Sequence, residues 1–145
     1  MKNKNFSIQE LTFSQTAVRN GLNNAPNPEI TKNLEKLCEV LEKIRGLVGQ
    51  PITVSSGYRS PELNKMIGGA KDSAHTKGLA ADITTNALTP KALALLIKSS
   101  DIKYDQLIYE GTWVHIAIDK DSAGRRQNLT AKFNAGKATY VEGII

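Results

Sequence analysis

The chain contains two histidines, and both lie in settings that suit metal binding. His75 stands in the segment DSAHTKGLAAD, just before a stretch with strand character, and His115 lies inside the apolar run WVHIAI. A catalytic zinc ion takes three protein ligands from His, Asp, Glu or Cys and keeps one position open for water. Together, His75, Asp82 and His115 would supply two imidazoles and one carboxylate.

The spacing of these residues allows them to converge. The segment between His75 and Asp82 contains Gly78, which would let the loop turn so that His75 faces a carboxylate on the following strand. His115 would then approach from a neighbouring strand. An alternative stays open on spacing alone, because a strand histidine is more often a hydrogen-bonded core residue and Asp82 could cap a turn.

Apolar spacing and capping signals predict the helices that would position these residues. Apolar side chains recur every three or four residues between an Asn27 cap and a closing Gly49, which is typical of a helix packed along one face. The same signals predict three helices: Pro28 to Val48, a second that starts at Ser60-Pro61-Glu62 and stops at Gly68-Gly69, and a third that Thr89-Pro90 opens and that runs through ALALLIK.

Short runs of alternating or continuous apolar residues predict four strands, which are ITVS (52–55), LAADIT (79–84), QLIY (106–109) and TWVHIAI (112–118). The alternation places Asp82 and His115 on the less apolar face of their strands. Glu110-Gly111 makes a tight connection that favours a hairpin between the last two strands. From Asp119 onward we expect a loop that includes at most one edge strand.

Length and composition fit one domain over residues 1–145, with an N-terminal arm over residues 1–26. The chain is 40% hydrophobic and 23% charged. The element pattern predicts an α+β fold with helices packed on one side of a mainly antiparallel sheet. A chain of this length can build a core without a metal or a disulfide, so a bound metal would be functional. The single cysteine, Cys38, is predicted to be a small buried apolar residue.

A longer pattern connects these residues to a known family. The run SSGYRSPELNKMIGGAKDSAHTKGLAADI followed by DQLIYEGTWVHIAI resembles the zinc peptidases that include D-alanyl-D-alanine carboxypeptidases, D-Ala-D-Ala dipeptidases and phage L-alanyl-D-glutamate endolysins. In that family, Ser-x-His-x-x-Gly-x-Ala-x-Asp with a later Trp-x-His marks the zinc site. The matching residues here are Ser73, His75, Gly78, Ala80, Asp82, Trp113 and His115.

The resemblance extends from about residue 6 to at least residue 118, and its N-terminal part is similar to small phage and prophage members. It implies the hedgehog-like zinc peptidase fold, with Zn²⁺ as cofactor on His75, Asp82 and His115.

The general base is the least regular part of the pattern. A zinc peptidase needs a carboxylate that takes a proton from water and passes it to the leaving amine. Many relatives carry an acidic residue three positions before the last histidine, but Thr112 occupies that position here. Glu110 is the predicted base, since the related hedgehog domains carry a glutamate on the strand preceding their last zinc histidine. Asp105 is the reserve candidate, and an exposed hairpin residue is the alternative for Glu110.

Four further residues are candidates for substrate contact. Arg59 follows a short strand and precedes a helix, where a fixed guanidinium could hold a substrate carboxylate or stabilise an oxyanion. The resemblance implies the same role for Arg59, and a structural salt bridge is the alternative. Ser73, Gln106 and Trp113 are predicted to bind substrate, although an aromatic on a strand such as Trp113 is more often a core residue.

The resemblance implies a zinc metallopeptidase that hydrolyses peptide bonds in peptidoglycan stem peptides, as a D-Ala-D-Ala carboxypeptidase or a cell-wall endopeptidase or endolysin. The competing hypothesis is a catalytically silent, zinc-containing wall-binding module. The acid missing at Thr112 keeps that hypothesis open, because the hedgehog relatives use the same scaffold for recognition.

A formal net charge of +5 favours anionic partners such as cell-wall polymers, nucleic acid or anionic lipid. Nucleic acid is not predicted, because no aromatic residues alternate with the scattered basic residues Lys65, Lys71, Lys77, Arg125 and Arg126. The start, MKNKNFSIQELTF, lacks the apolar run of a signal peptide, and no run approaches the roughly 20 residues that span a bilayer. We therefore expect synthesis in the cytoplasm, no membrane insertion, and action on the wall after release by another protein.

Overall fold

A computed structural model describes residues 5–70, 72–121 and 124–145, which form an α+β fold. Lys71 and the first four residues of the predicted arm lie outside the described residues. The helices are α1 (Ile8–Thr12), α2 (Gln15–Arg19), α3 (Pro28–Val48), α4 (Pro61–Met66) and α5 (Pro90–Lys98), with a short 3-10 helix at Ala74–Lys77. The strands are β1 (Ile52–Ser56), β2 (Ala80–Thr85), β3 (Gln106–Tyr109), β4 (Val114–Ala117), β5 (Gln127–Asn134) and β6 (Lys137–Glu142).

The strands form one six-stranded sheet in the order β1-β2-β4-β3-β5-β6. All neighbouring strands are antiparallel except β3 and β5, which run parallel. Helices and sheet contribute to a single hydrophobic core that reaches from Phe6 to Ile144. The predicted α+β class, the mainly antiparallel sheet and the hairpin between β3 and β4 are confirmed.

Helix α3 has the bounds that its capping residues predict. The Asn27 side chain accepts a hydrogen bond from the Ile30 backbone N–H at 2.8 Å, and Pro28 occupies the first helical position. Gly49 closes the helix in the left-handed conformation, at φ 75°. Its inner face buries Leu34, Leu37, Cys38, Leu41 and Ile44 completely. Each of the larger side chains contributes about 1.5–3 kcal/mol by leaving water.

No helix in the described part of the chain is both long and apolar enough to cross a membrane. The longest, α3, has 21 residues, but its outer face is charged, as the exposed Glu35, Lys36, Glu39 and Lys43 show.

The N-terminal arm is more structured than its sequence predicts. Two five-residue helices, α1 and α2, begin at Ser7 and Ser14, whose side chains accept backbone hydrogen bonds from Glu10 and Ala17. Helices this short are not stable alone. Burial of Leu11 in the shared core stabilises the first, so tertiary packing rather than local propensity forms these elements.

The prediction for the tail was wrong, because two strands rather than one follow Asp119. β5 and β6 form an antiparallel hairpin whose turn, Ala135-Gly136, has positive φ at both residues. Such a two-residue turn favours Asn-Gly or Asp-Gly, and an alanine at positive φ is uncommon. All six residues of β6 are exposed. The strand therefore has no buried face, and buried and exposed residues do not alternate along it as they do in a half-buried strand.

The buried cysteine gives a test of the packing of α3. Burial, followed by the negative charge of Glu42, raises the pKa of the Cys38 thiol to about 11. At pH 8 only about one such thiol in a thousand would be ionised, so we expect Ellman's reagent to leave the native protein almost unmodified. In guanidinium chloride the same reagent should modify one thiol per chain. Equal labelling rates in the native and unfolded protein would contradict this packing.

Candidate metal centre and active site

Two of the three predicted metal ligands lie opposite each other on neighbouring strands. Asp82 on β2 and His115 on β4 are paired residues of the antiparallel ladder, so their side chains share one face of the sheet. His115 Nδ1 lies 3.2 Å from Asp82 Oδ1. Each residue was predicted to lie on the less apolar face of its own strand, and the ladder pairing shows that these two faces are one face of the sheet.

The third predicted ligand comes from the 3-10 helix before β2. The Ser73 side chain accepts a hydrogen bond from the His75 backbone N–H and so caps this helix, and Gly78 ends it at φ 72°. The turn brings His75 Nε2 to 3.3 Å from Asp82 Oδ1. One ligand atom from each of the three residues lies within 4.8 Å of the others. Gly78 therefore makes the turn that the sequence predicts.

The orientation of the His75 ring is set by a backbone carbonyl. Its Nδ1 lies 2.7 Å from the Gly57 carbonyl oxygen. A carbonyl only accepts hydrogen bonds, so Nδ1 carries a proton and donates it, and Nε2 is the ring nitrogen that faces Asp82. Metal-binding histidines commonly donate their second ring nitrogen to a carbonyl or carboxylate in this way.

The residues present fit a zinc ion. Ligands about 2.0–2.1 Å from a tetrahedral zinc lie about 3.3–3.4 Å from one another. The two His–Asp distances here, 3.3 and 3.2 Å, agree with that spacing. Two imidazoles and one carboxylate are also the ligand types of a catalytic zinc site.

The Asp82 carboxyl remains ionised although it is buried. Burial opposes its ionisation, but hydrogen bonds and positive charge from His115 and His75 outweigh that effect and hold its pKa well below the usual range. The Arg59 guanidinium forms an ion pair with the second carboxylate oxygen at 3.5 Å. A permanently charged Asp82 is what a metal ligand requires.

Arg59 is fixed beside the metal centre. Its Nε donates to Ser56 Oγ and its Nη1 to Asn64 Oδ1, both at 3.1 Å, while Nη2 faces Asp82. Burial lowers the Arg59 pKa, and the negative charges of Asp82 and Glu110 oppose that shift. The salt bridge considered from sequence is therefore present, and the side chain also lines the cleft described below.

Glu110 directly follows β3 and is partly buried. Its carboxylate interacts electrostatically with Asp82, His115 and Arg59. Its Oε2 accepts a hydrogen bond from Trp113 Nε1 at 3.2 Å. Burial raises the Glu110 pKa, and the charge of Asp82 adds to the increase, although His115, Trp113 and Arg59 oppose it. Glu110 is thus not simply an exposed hairpin residue, which was the alternative from sequence.

Asp105, the reserve candidate for the general base, is engaged elsewhere. Its two oxygens accept from Arg125 Nε and Nη2 at 3.0 Å each, and these hydrogen bonds lower its pKa. A carboxylate held in this way is a weaker proton acceptor than Glu110. Gln106 is similarly occupied, since its amide donates to Gln127 Oε1 at 2.9 Å.

An open cleft of about 1160 Å³ contains every predicted site residue. Its lining includes the three candidate ligands together with Arg59, Ser73, Asp105, Gln106, Glu110 and Trp113. Sequence reasoning missed Gly57, Asn64 and Tyr140. Gly57 and Asn64 carry no chemistry that marks them, and Tyr140 lies in the tail that was predicted as a loop with at most one edge strand.

The Asp82→Asn substitution tests the metal centre. The amide removes the negative charge between the two imidazoles, and we expect zinc affinity to fall by more than about 100-fold, since even changes to residues behind the ligands cost 10–100-fold. Zinc content after dialysis, measured by mass spectrometry, should drop from one ion per chain. Asp101→Asn, at an exposed position, is the matched control. Full retention of zinc by Asp82→Asn would rule out this ligand set.

Comparison with known protein families agrees with this geometry. The family model Peptidase M15 matches residues 4–117. The matched segment ends with the last residue of β4, so it includes the three candidate ligands, Arg59 and Glu110 but neither β5 nor β6. No similar sequence was found among curated proteins. Because the match covers well over half of the chain, the protein belongs to the Peptidase M15 family of zinc-dependent peptidases.

Proposed function

We propose that this protein hydrolyses peptide bonds in peptidoglycan stem peptides, as a D-Ala-D-Ala carboxypeptidase or as a cell-wall endopeptidase or endolysin. One observation carries the proposal: Asp82 lies within 3.3 Å of both histidines, and a second carboxylate, Glu110, with a raised pKa, lines the same cleft. Metal ligands and a separate proton carrier are the two parts that zinc-assisted peptide hydrolysis requires.

The ligand residues prepare the centre for its metal. A zinc ion bound there supplies a Lewis acid that polarises the scissile carbonyl and lowers the pKa of water. The Gly57 carbonyl holds the His75 ring in one tautomer, and the cross-strand pairing holds His115 opposite Asp82. These contacts reduce the reorganisation that metal and substrate binding would otherwise require.

Glu110 is the general base in this proposal. It takes a proton from the attacking water and delivers it to the leaving amine. Its raised pKa brings it nearer to the value at which a carboxylate can both accept and release a proton at neutral pH. The Trp113 N–H donates to Oε2 and so helps to hold the carboxylate in place within the cleft.

Arg59 binds the substrate in this proposal. Its contacts with Ser56 and Asn64 hold the guanidinium in one orientation beside the metal ligands. A guanidinium fixed in this way can pair with a substrate carboxylate or with the oxyanion that develops as the carbonyl is attacked. The same contacts explain why lysine, a flexible point charge, would replace it poorly.

Support for the substrate class comes from the motif pattern and from charge. The residues from Ser73 to His115 resemble those of peptidases that act on peptidoglycan stem peptides. The net charge of +5 favours approach to an anionic wall polymer.

The competing function is a zinc-containing wall-binding module without catalysis. One observation favours it: Thr112, which stands where many relatives carry an acid, is exposed in the turn between β3 and β4. The position of Glu110 favours the enzyme. Under the competing hypothesis, the zinc-loaded protein would bind peptidoglycan and release no fragments.

The Glu110→Gln substitution separates the two functions. Losing the proton carrier should reduce hydrolysis of peptidoglycan and of defined stem peptides by about 10²–10⁴-fold, the range for general acid–base catalysis, while one zinc ion per chain is retained. Mass spectrometry of the released fragments measures the loss. Glu39→Gln, exposed on the outer face of α3, should retain the wild-type rate.

Hydrolysis by Glu110→Gln at the wild-type rate would exclude Glu110 as the base. Zinc binding without any fragments from the wild-type protein would instead favour the wall-binding module.

A further inference from the structure

The sheet continues beyond the metal centre through strands that lie outside the family match. His115 pairs with Ile108 on β3, and Ile108 pairs with Leu129 on β5, so these side chains share the face that carries the centre. Leu129 also lines the cleft. β5 and β6 therefore extend the wall of the cleft on the β3 side of the metal ligands.

The same strand register places Tyr140 two strands away from the proposed general base, Glu110, on the same face of the sheet. Tyr109 pairs with Thr130 at the end of β3, and continuing this register by one residue would set Glu110 beside Ala131. Ala131 pairs with Tyr140 on β6. Neighbouring strands are about 4.8 Å apart, which puts the Tyr140 backbone about 10 Å from that of Glu110 with only the small Ala131 between them.

The Tyr140 side chain lies at the cleft, and its hydroxyl is available to bind a ligand there. It lines the cleft, and 52% of its surface is exposed. Within the described residues, its hydroxyl takes part in no hydrogen bond. Burial, together with the negative charges of Glu110 and Asp82, raises its pKa, so the phenol is protonated at neutral pH and available as a donor.

We propose that the Tyr140 hydroxyl donates a hydrogen bond to the peptide substrate, on the part of the substrate that lies over β5 and β6. Tyr140 is then a specificity-determining residue that acts in binding rather than in the chemical step. Its ring offers apolar contact in the cleft that Trp113 and Leu129 also line, and its hydroxyl offers a donor for the peptide carbonyls. This role rests on the proposed function and adds a contact from strands that the family match does not include.

Two substitutions in the zinc-loaded protein test this role with defined stem peptides as substrates. Tyr140→Phe keeps the ring and removes the donor, and we expect KM to rise about 3–10-fold, as for one neutral hydrogen bond, with kcat within about twofold of wild type. Tyr140→Ala removes the ring as well and should raise KM further. Val141→Ala, the next residue on the opposite face of β6, is the matched control and should retain the wild-type KM.

Direct binding provides a readout that does not depend on turnover. In the Glu110→Gln background, calorimetry should show that Tyr140→Phe raises the Kd of the same stem peptide by the factor seen in KM. Zinc content and Tm should match those of the Val141→Ala control.

Four results would overturn the assignment. Wild-type KM and Kd in both Tyr140 variants would exclude the substrate contact, and so would a fall in kcat at unchanged KM. A rise in KM as large in Val141→Ala would show a structural effect of the hairpin. If the wild-type protein neither cleaves nor binds any stem peptide, the proposed function itself fails, and the role of Tyr140 fails with it.

Discussion

The structure of the centre depends on one buried carboxylate held between two imidazoles. Asp82 Oδ1 faces both histidines, and Oδ2 faces Arg59. A buried charge costs several kcal/mol unless it is paired, so these contacts stabilise the arrangement in which β2 and β4 are neighbours. β2 contributes the carboxylate, β4 and the 3-10 helix contribute the imidazoles, and the loop after β1 contributes the guanidinium. The fold brings four separate segments to a single pair of oxygen atoms.

Backbone contacts next to the centre hold the His75 ring in its orientation. The Gly57 carbonyl orients His75, and the adjacent Tyr58 N–H donates to the Leu11 carbonyl at the end of α1 at 2.7 Å. A β-carbon on Gly57 would collide with that same carbonyl, so only glycine allows this approach. The N-terminal helix therefore supports the loop that orients a candidate metal ligand, although it contributes no side chain to the centre itself.

Sequence reasoning succeeded where the determinants are local or closely spaced. The bounds of α3 follow from its caps, and the placement of Asp82 and His115 on the less apolar face of their own strands follows from strand alternation. It failed where long-range packing decides. The helices of the arm depend on burial of Leu11, and the β5–β6 hairpin has an exposed outer strand and an unusual turn at Ala135. For that reason the position of Tyr140 could not be predicted, and neither could the pairing of Asp105 with Arg125.

The central claim is that the His75, Asp82 and His115 cluster holds the metal on which peptide hydrolysis depends. The most direct measurement adds zinc stepwise to metal-free protein and follows the release of fragments from a defined stem peptide by mass spectrometry. We expect no fragments without metal, a rate that rises in proportion to added zinc, and saturation at one ion per chain. Full activity in the metal-free protein, or no fragments at one bound zinc ion per chain, would contradict it.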